Sequence, residues 1–343
     1  MKISAKPKAL SLVGEKLPTL TCIAALSLAI VCTGVQAQAP SKWDVARLPW
    51  GAPDLQGIWT SATLTTLTRP DEFDSLVLTP KEAASVESMG EEQLEEIDDL
   101  PEGDLEAGAN VGGYNAAWID PGTRVLRVKG EPRSSIIVEP DDGQVPYTLM
   151  GRGRFYWQGY KFMRRHDNPE ERPLGERCTV GFGSTGGPPM LPVLYNNNYQ
   201  FVQTPDEVLI LVEMNHNIRT VRMGGKPLPA AIKPWLGDSI GKWDGDTLVV
   251  TTTGFHPQQN LRAAIKHQFY MTSDSVVEER FTRLNASEML YQFTVTDESI
   301  YRQPWRGELT LRASEGPIYE YACHEGNYAL PNILAGARQE EQE

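Results

Sequence analysis

Apolar residues recur with period two through most of the second half of the chain. Tyr199 to Thr204 and Val208 to Arg222 flank the turn Pro205-Asp206, and Ser239 to Trp243 and Thr247 to Thr253 flank Asp244-Gly245. Val276 to Leu284 and Met289 to Thr296 flank Asn285-Ala286-Ser287, and Glu308 to Ala313 and Ile318 to Cys323 flank Glu315-Gly316. Alternation bounded by short polar turns predicts antiparallel hairpins. Four hairpins in succession predict a mainly β fold, an antiparallel meander that curls into a barrel, with a two-sheet sandwich as the rival.

The first half is less periodic. An extended run is expected from Ile58 to Leu67 and a strand over residues 134–138, stopped by Pro140 and Asp141-Asp142-Gly143. Thr79, Pro80 and Glu82 are placed as N-cap, first turn and capping-box acid, so a helix is predicted from there to about Ile97, with Pro101 ending it. Residues 151–192 hold many Arg, Gly and Pro residues with little period and read as a long irregular loop, the kind that carries function in a compact domain. Pro331 to Glu343 reads as a short terminal helix or tail.

The N-terminus changes the picture. Lys2, Lys6, Lys8 and Lys16 precede an apolar stretch from Leu20 to Val35 that closes on Val35-Gln36-Ala37. A positive region, a short apolar region and small residues before the cut predict a secretory signal over 1–37. An uncleaved anchor and a lipoprotein at Cys32 are the alternatives. The remaining 38–343 then form a single β-rich domain that includes an acidic helix and loop segment, 80–110, and that location is periplasmic or secreted. The chain has 32 Lys+Arg and 45 Asp+Glu. Without residues 1–37, which hold four lysines and Glu15, the balance is 28 against 44, or −16. Such a charge disfavours nucleic acid and anionic membrane surfaces as partners. The acidic stretch lacks the alternating spacing of a calcium loop.

Cys178 and Cys323 stay after the signal is removed. In an oxidising compartment they predict one disulfide, with a catalytic thiol at Cys323 beside His324 as the rival.

Several blocks together resemble a family of exported proteins of unknown function from Gram-negative and soil bacteria. They include Pro53-Asp-Leu-Gln-Gly-Ile-Trp59, Leu174-Gly-Glu-Arg-Cys178, Tyr195-Asn-Asn-Asn-Tyr199, Trp235-Leu-Gly-Asp-Ser239, Trp243-Asp-Gly-Asp-Thr-Leu-Val-Val250 and Tyr321-Ala-Cys-His-Glu-Gly-Asn-Tyr328. The resemblance implies export and brings no activity. Gly57-Ile58-Trp59 on a first strand also resembles the start of lipocalin-type barrels, so a lipocalin-like barrel is the expected architecture.

Histidine is scarce, so its positions inform. Period two puts His216 on one face with Ile210, Val212, Met214 and Ile218, and Glu213, Asn215, Asn217 and Arg219 on the other. His216 is thus expected inside the barrel. His324 and Glu325 are expected at a strand end, and a disulfide would bring Glu176 and Arg177 towards them. These residues suggest acid–base chemistry: His216 and His324 as acid and base, Glu325 and Glu213 as orienters, Arg177 and Arg219 as anion clamps. Three imidazoles, His216, His256 and His324, are the candidate ligands of a divalent metal such as zinc. His166 and His267 read as surface residues. No nucleophile elbow, phosphate loop or dinucleotide fingerprint appears. The expected function is an exported lyase or hydrolase acting on a small or oligomeric organic substrate. The alternatives are a non-catalytic binding protein for an apolar or aromatic molecule, lined by Trp59, Tyr199, Trp235 and Trp243, and an envelope-assembly partner.

Overall fold

The computed structural model describes residues 43–98, 119–264 and 267–342. The expected signal, 1–37, and much of the acidic segment lie outside these residues. The first elements are β1 (Gly57–Thr60) and the helix α1 (Pro80–Asp98). The predicted capping box is formed: the Thr79 N–H donates to Glu82 Oε2 at 2.7 Å and the Glu82 N–H to Thr79 Oγ1 at 3.3 Å. The bonds from Thr79 hold the Glu82 carboxyl below its ordinary range. A small hairpin follows, β2 (Arg127–Val128) and β3 (Glu131–Pro132), then β4 (Ile137–Glu139) and the helix α2 (Leu149–Arg164).

The barrel strands come next: β5 (Asn198–Gln203), β6 (Glu207–Val212), β7 (Ile218–Met223), β8 (Asp238–Asp244) and β9 (Thr247–Thr253). A separate hairpin, β10 (Leu261–Ala264) and β11 (His267–Tyr270), precedes β12 (Val276–Arg283), β13 (Glu288–Thr296) and β14 (Trp305–Ser314). The chain ends on the helix α3 (Ala329–Glu340). The sheet runs β1-β5-β6-β7-β8-β9-β12-β13-β14 and closes by pairing β1 with β14, Trp59 opposite Ala313. Nine strands therefore form a closed barrel, and β4 adds to β14 outside the ring. Closure removes the free edges of the sheet.

The barrel is mixed, where a wholly antiparallel meander was expected. The pair β7 and β8 is parallel, Val221 opposite Ser239, because a Gly- and Pro-containing crossover, not a tight turn, joins them. Inward positions alternate along each strand and carry large side chains: Trp59, Tyr199, Phe201, Phe281, Tyr291, Phe293 and Trp305 are all at most 1 % exposed. The barrel is a packed core, held by close aromatic contacts such as Phe293 edge-on to Trp305 at 5.5 Å.

Four further expectations are corrected. The extended run 58–67 is a strand only to Thr60, and the strand foreseen at 134–138 lies at Ile137–Glu139. The segment 318–323 is not a strand: Pro317 has no N–H to give a ladder, and the Tyr319 N–H donates to the buried carboxylate of Glu213 at 3.1 Å instead. The loop foreseen at 151–192 begins as α2. Thr148 caps that helix, its Oγ1 accepting from the Gly151 N–H at 2.9 Å. Gly151, Phe155 and Phe162 face the protein at helical spacing. The glycines that suggested a loop have a packing reason at Gly151, where a Cβ would lie 2.1 Å from the Ile300 carbonyl oxygen.

The rest of the Gly/Pro stretch plugs one end of the barrel. The Met190 N–H donates to the Tyr291 hydroxyl at 2.8 Å, and Met190, Leu191 and Val193 join the core. Among the described residues no helix is long and apolar enough to cross a membrane.

Candidate functional site

His216 is not inside the barrel. The expected single strand 208–222 breaks after Val212 into a turn, Met214–His216, in which Asn215 and His216 take positive φ of 59° and 48°. The turn resets the alternation. Ile218 faces solvent, and Arg219, expected outside, is 2 % exposed and faces inward. His216 itself is exposed on the turn.

Inside the barrel, Arg219 donates to both oxygens of Glu279, at 2.6 and 3.1 Å, and Glu279 also accepts from the Tyr291 hydroxyl at 2.8 Å. Burial alone would make the guanidinium easier to deprotonate, but Glu279 outweighs it and raises the Arg219 pKa. Both side chains are buried in this network, in which Arg219 Nε has no hydrogen-bond partner among the described residues. Glu213 is buried as well, and accepts from Asn198 Nδ2 at 2.8 Å and from the Tyr319 N–H.

Cys178 and Cys323 form a disulfide with Cα atoms 5.7 Å apart. It ties the segment carrying His324 and Glu325 to the loop at 175–181. Asn217 ties the His216 turn to the same loop by accepting from the Gly181 N–H at 2.6 Å. The candidate residues are thus gathered at one end of the barrel but not joined. His216, His324 and Glu325 are exposed, and no hydrogen bond or ion pair among the described residues links them. Glu176 is paired with Arg172, and Arg177 donates to Gln258 Oε1 at 3.2 Å.

His256 packs on Trp235 with ring centroids 3.8 Å apart and the rings tilted by 36°, and burial and the neighbouring Arg177 charge lower its pKa. Among the described residues no three His, Cys, Asp or Glu side chains converge as a metal site, so the His216, His256 and His324 set is not assembled. The four aromatics foreseen as pocket lining are also dispersed. Trp59 and Tyr199 are cross-strand partners in the packed core, Trp243 packs against that core, and Trp235 lies on the surface with His256.

The cleft that the structure offers lies elsewhere. It holds about 460 Å³ between α2, the loop 166–183 and the β10–β11 hairpin. Phe162, Leu174, Val180, Phe182 and Leu261 make its apolar wall, and His166, Arg172, Glu176, Gln258, Gln259, Arg262 and Gln268 its polar groups. Arg262 is buried there, with Nε and Nη2 free of any hydrogen-bond partner among the described residues. Arg172 organises the cleft. Its Nε and Nη2 donate to the two oxygens of Glu176 at 2.9 and 3.0 Å, and its Nη1 donates to His166 Nδ1 at 3.0 Å. Nη1 also reaches the Phe162 carbonyl, one of the last free acceptors of α2. A guanidinium only donates, so His166 Nδ1 accepts and the ring proton sits on Nε2.

From the sequence His166 reads as a surface residue and Arg172 as part of the irregular loop 151–192. The signal that would have found them is the spacing of Arg172 and Glu176, which makes a local bidentate pair. A second cleft of about 400 Å³ lies under α1, but its one buried charge, Arg133, is already held by Glu131 and Glu308. No protein-family model matches the chain, and neither a curated protein nor a solved structure matches it.

Proposed function

We propose that this chain is an exported, non-catalytic binding protein for a small, largely apolar organic molecule that carries hydrogen-bond acceptors, held in the cleft between α2 and the β10–β11 hairpin. One observation carries the reading: an apolar wall of Phe162, Leu174, Val180, Phe182 and Leu261 faces three glutamines, one imidazole, the Arg172–Glu176 pair and the buried Arg262. Ligand sites are mostly apolar concavities with a few converging polar groups. The glutamine amides donate and accept without net charge, Glu176 neutralises Arg172, and the buried Arg262 leaves one cation whose Nε and Nη2 can meet a ligand acceptor. An aromatic or alicyclic ligand with hydroxyl or carbonyl groups fits that chemistry. The disulfide and the resemblance to exported proteins support export.

The test uses N-phenyl-1-naphthylamine, an uncharged apolar fluorophore, with residues 38–343. Saturable fluorescence that is lost in Val180→Trp, which fills the cleft, is the expected result. Fluorescence unchanged by that substitution removes the reading.

A lyase or hydrolase reading is favoured by one feature, His166 on the cleft wall with Nδ1 held by Arg172. It predicts turnover that His166→Ala abolishes while the fluorophore still binds.

A further inference from the structure

The outward face of α2 has no counterpart in the barrel. Gly151, Phe155, Gln158 and Phe162 turn toward the protein. Opposite them, Leu149, Tyr156 and Tyr160 fall on one stripe at helical spacing, each more than half exposed, with Leu149 at 94 %, and Met163, 77 % exposed, carries the stripe to the rim of the cleft. Trp157 flanks the stripe and is also more than half exposed. An apolar patch of this kind on the surface marks an interaction site.

Charge says what covers it. From Leu149 to Arg164 there are four cations and no carboxylate, in a chain whose formal charge is −13. On the helical wheel Arg152 and Arg164 flank the stripe, one on each side within about 70° of it, while Arg154 and Lys161 lie about 130–150° round, towards the protein-facing side. Arg152, Arg154 and Arg164 form no ion pair among the described residues. Lys161 sits over the Trp157 ring at 5.6 Å. The carboxylates just past the helix are partly engaged, Glu171 with Arg165 and Asp167 with Arg338, leaving Glu170.

We propose that α2 is a membrane-surface helix that lies flat on an anionic bilayer, with the Leu149–Met163 stripe at the headgroup boundary. Tyrosine and tryptophan favour that boundary because one end of each ring is apolar and the other wet. Arginines on both flanks reach phosphate while their stems stay along the apolar surface. A plane of anionic headgroups meets both basic flanks at once, whereas a protein partner would have to present acid on both sides of an apolar ridge. The charge of the whole chain argues against such a surface, but exposed charges beyond about 8 Å are largely screened at physiological ionic strength, so the local charge of α2 decides.

The experiment takes residues 38–343, which keep every element described above, and sediments them with vesicles of phosphatidylcholine alone or containing phosphatidylglycerol. Binding only to the phosphatidylglycerol vesicles is expected, weakening as salt rises, with tryptophan emission shifted to the blue. Arg152→Glu/Arg154→Glu/Arg164→Glu is expected to lower binding at least tenfold, as is Tyr156→Ser/Tyr160→Ser, both with unchanged melting because the sites are exposed. Absence of binding to phosphatidylglycerol vesicles overturns the proposal, as does binding that survives both variants. So does a self-associating or acidic-protein-binding helix face in a chain that ignores lipid.

Discussion

Arg219 on β7 and Glu279 on β12 meet inside the barrel across two intervening strands, with the guanidinium donating to both carboxylate oxygens at 2.6 and 3.1 Å. Ser239 and Thr252, on the strands between, share a hydrogen bond of 2.8 Å beside them. Removing one partner leaves the other as an uncompensated buried charge. Arg219→Met is expected to cost about 3–5 kcal/mol, and Arg219→Met/Glu279→Leu to recover most of it. Urea unfolding of the two single variants and the double variant measures this directly. Additive losses would mean the pair is not coupled.

Gly151 holds α2 against the loop at Ile300. A Cβ there would lie 2.1 Å from a backbone oxygen that cannot swing away. Gly151→Ala is expected to lift the helix at about 1–3 kcal/mol, the usual cost of overpacking. Amide exchange over residues 149–164 should quicken while the barrel strands stay protected.

The disulfide between Cys178 and Cys323 closes a sequence separation of 145 residues. In the chain-entropy model a loop of that size stabilises by up to about 5 kcal/mol. Cys178→Ser/Cys323→Ser should therefore lower the unfolding midpoint, and reduction of the natural protein should do the same. An unchanged midpoint in both would show that the tail is held by its other contacts.

Asp297 gathers the loops beside β13. Burial by itself would raise its carboxyl, but bonds from Ser275, Ser299 and Thr272 outweigh burial and lower it. A folded value below the unfolded one makes the carboxylate a source of stability that is full above the unfolded value of about 4 and lost as pH falls through the folded value. Asp297→Asn should be less stable than the natural protein at neutral pH, and the difference should shrink in acid. Melting curves taken across that acid range test the sign.

The amino-acid sequence by itself determined the local devices. The turns at Asp244-Gly245 and Asn285-Ala286-Ser287 join strands whose alternation matches the observed burial, because side chains in a continuous strand must alternate. Thr79 and Glu82 cap α1 as their spacing dictates, since a cap involves only four neighbouring residues. A barrel is expected from a run of such hairpins, but its nine strands and its parallel β7–β8 pair are not. The tertiary structure decided everything that depends on parity across a break or on distant partners. Two left-handed residues, Asn215 and His216, reset the count, so His216 went outside and Arg219 inside. α2 was hidden in the sequence because Gly151, Gly153 and Gly159 lower helix propensity, and the need for Gly151 lies at Ile300, far along the chain. The cleft shares that character: α2, the loop after it and the β10–β11 hairpin each supply part of a wall, and only packing brings them together.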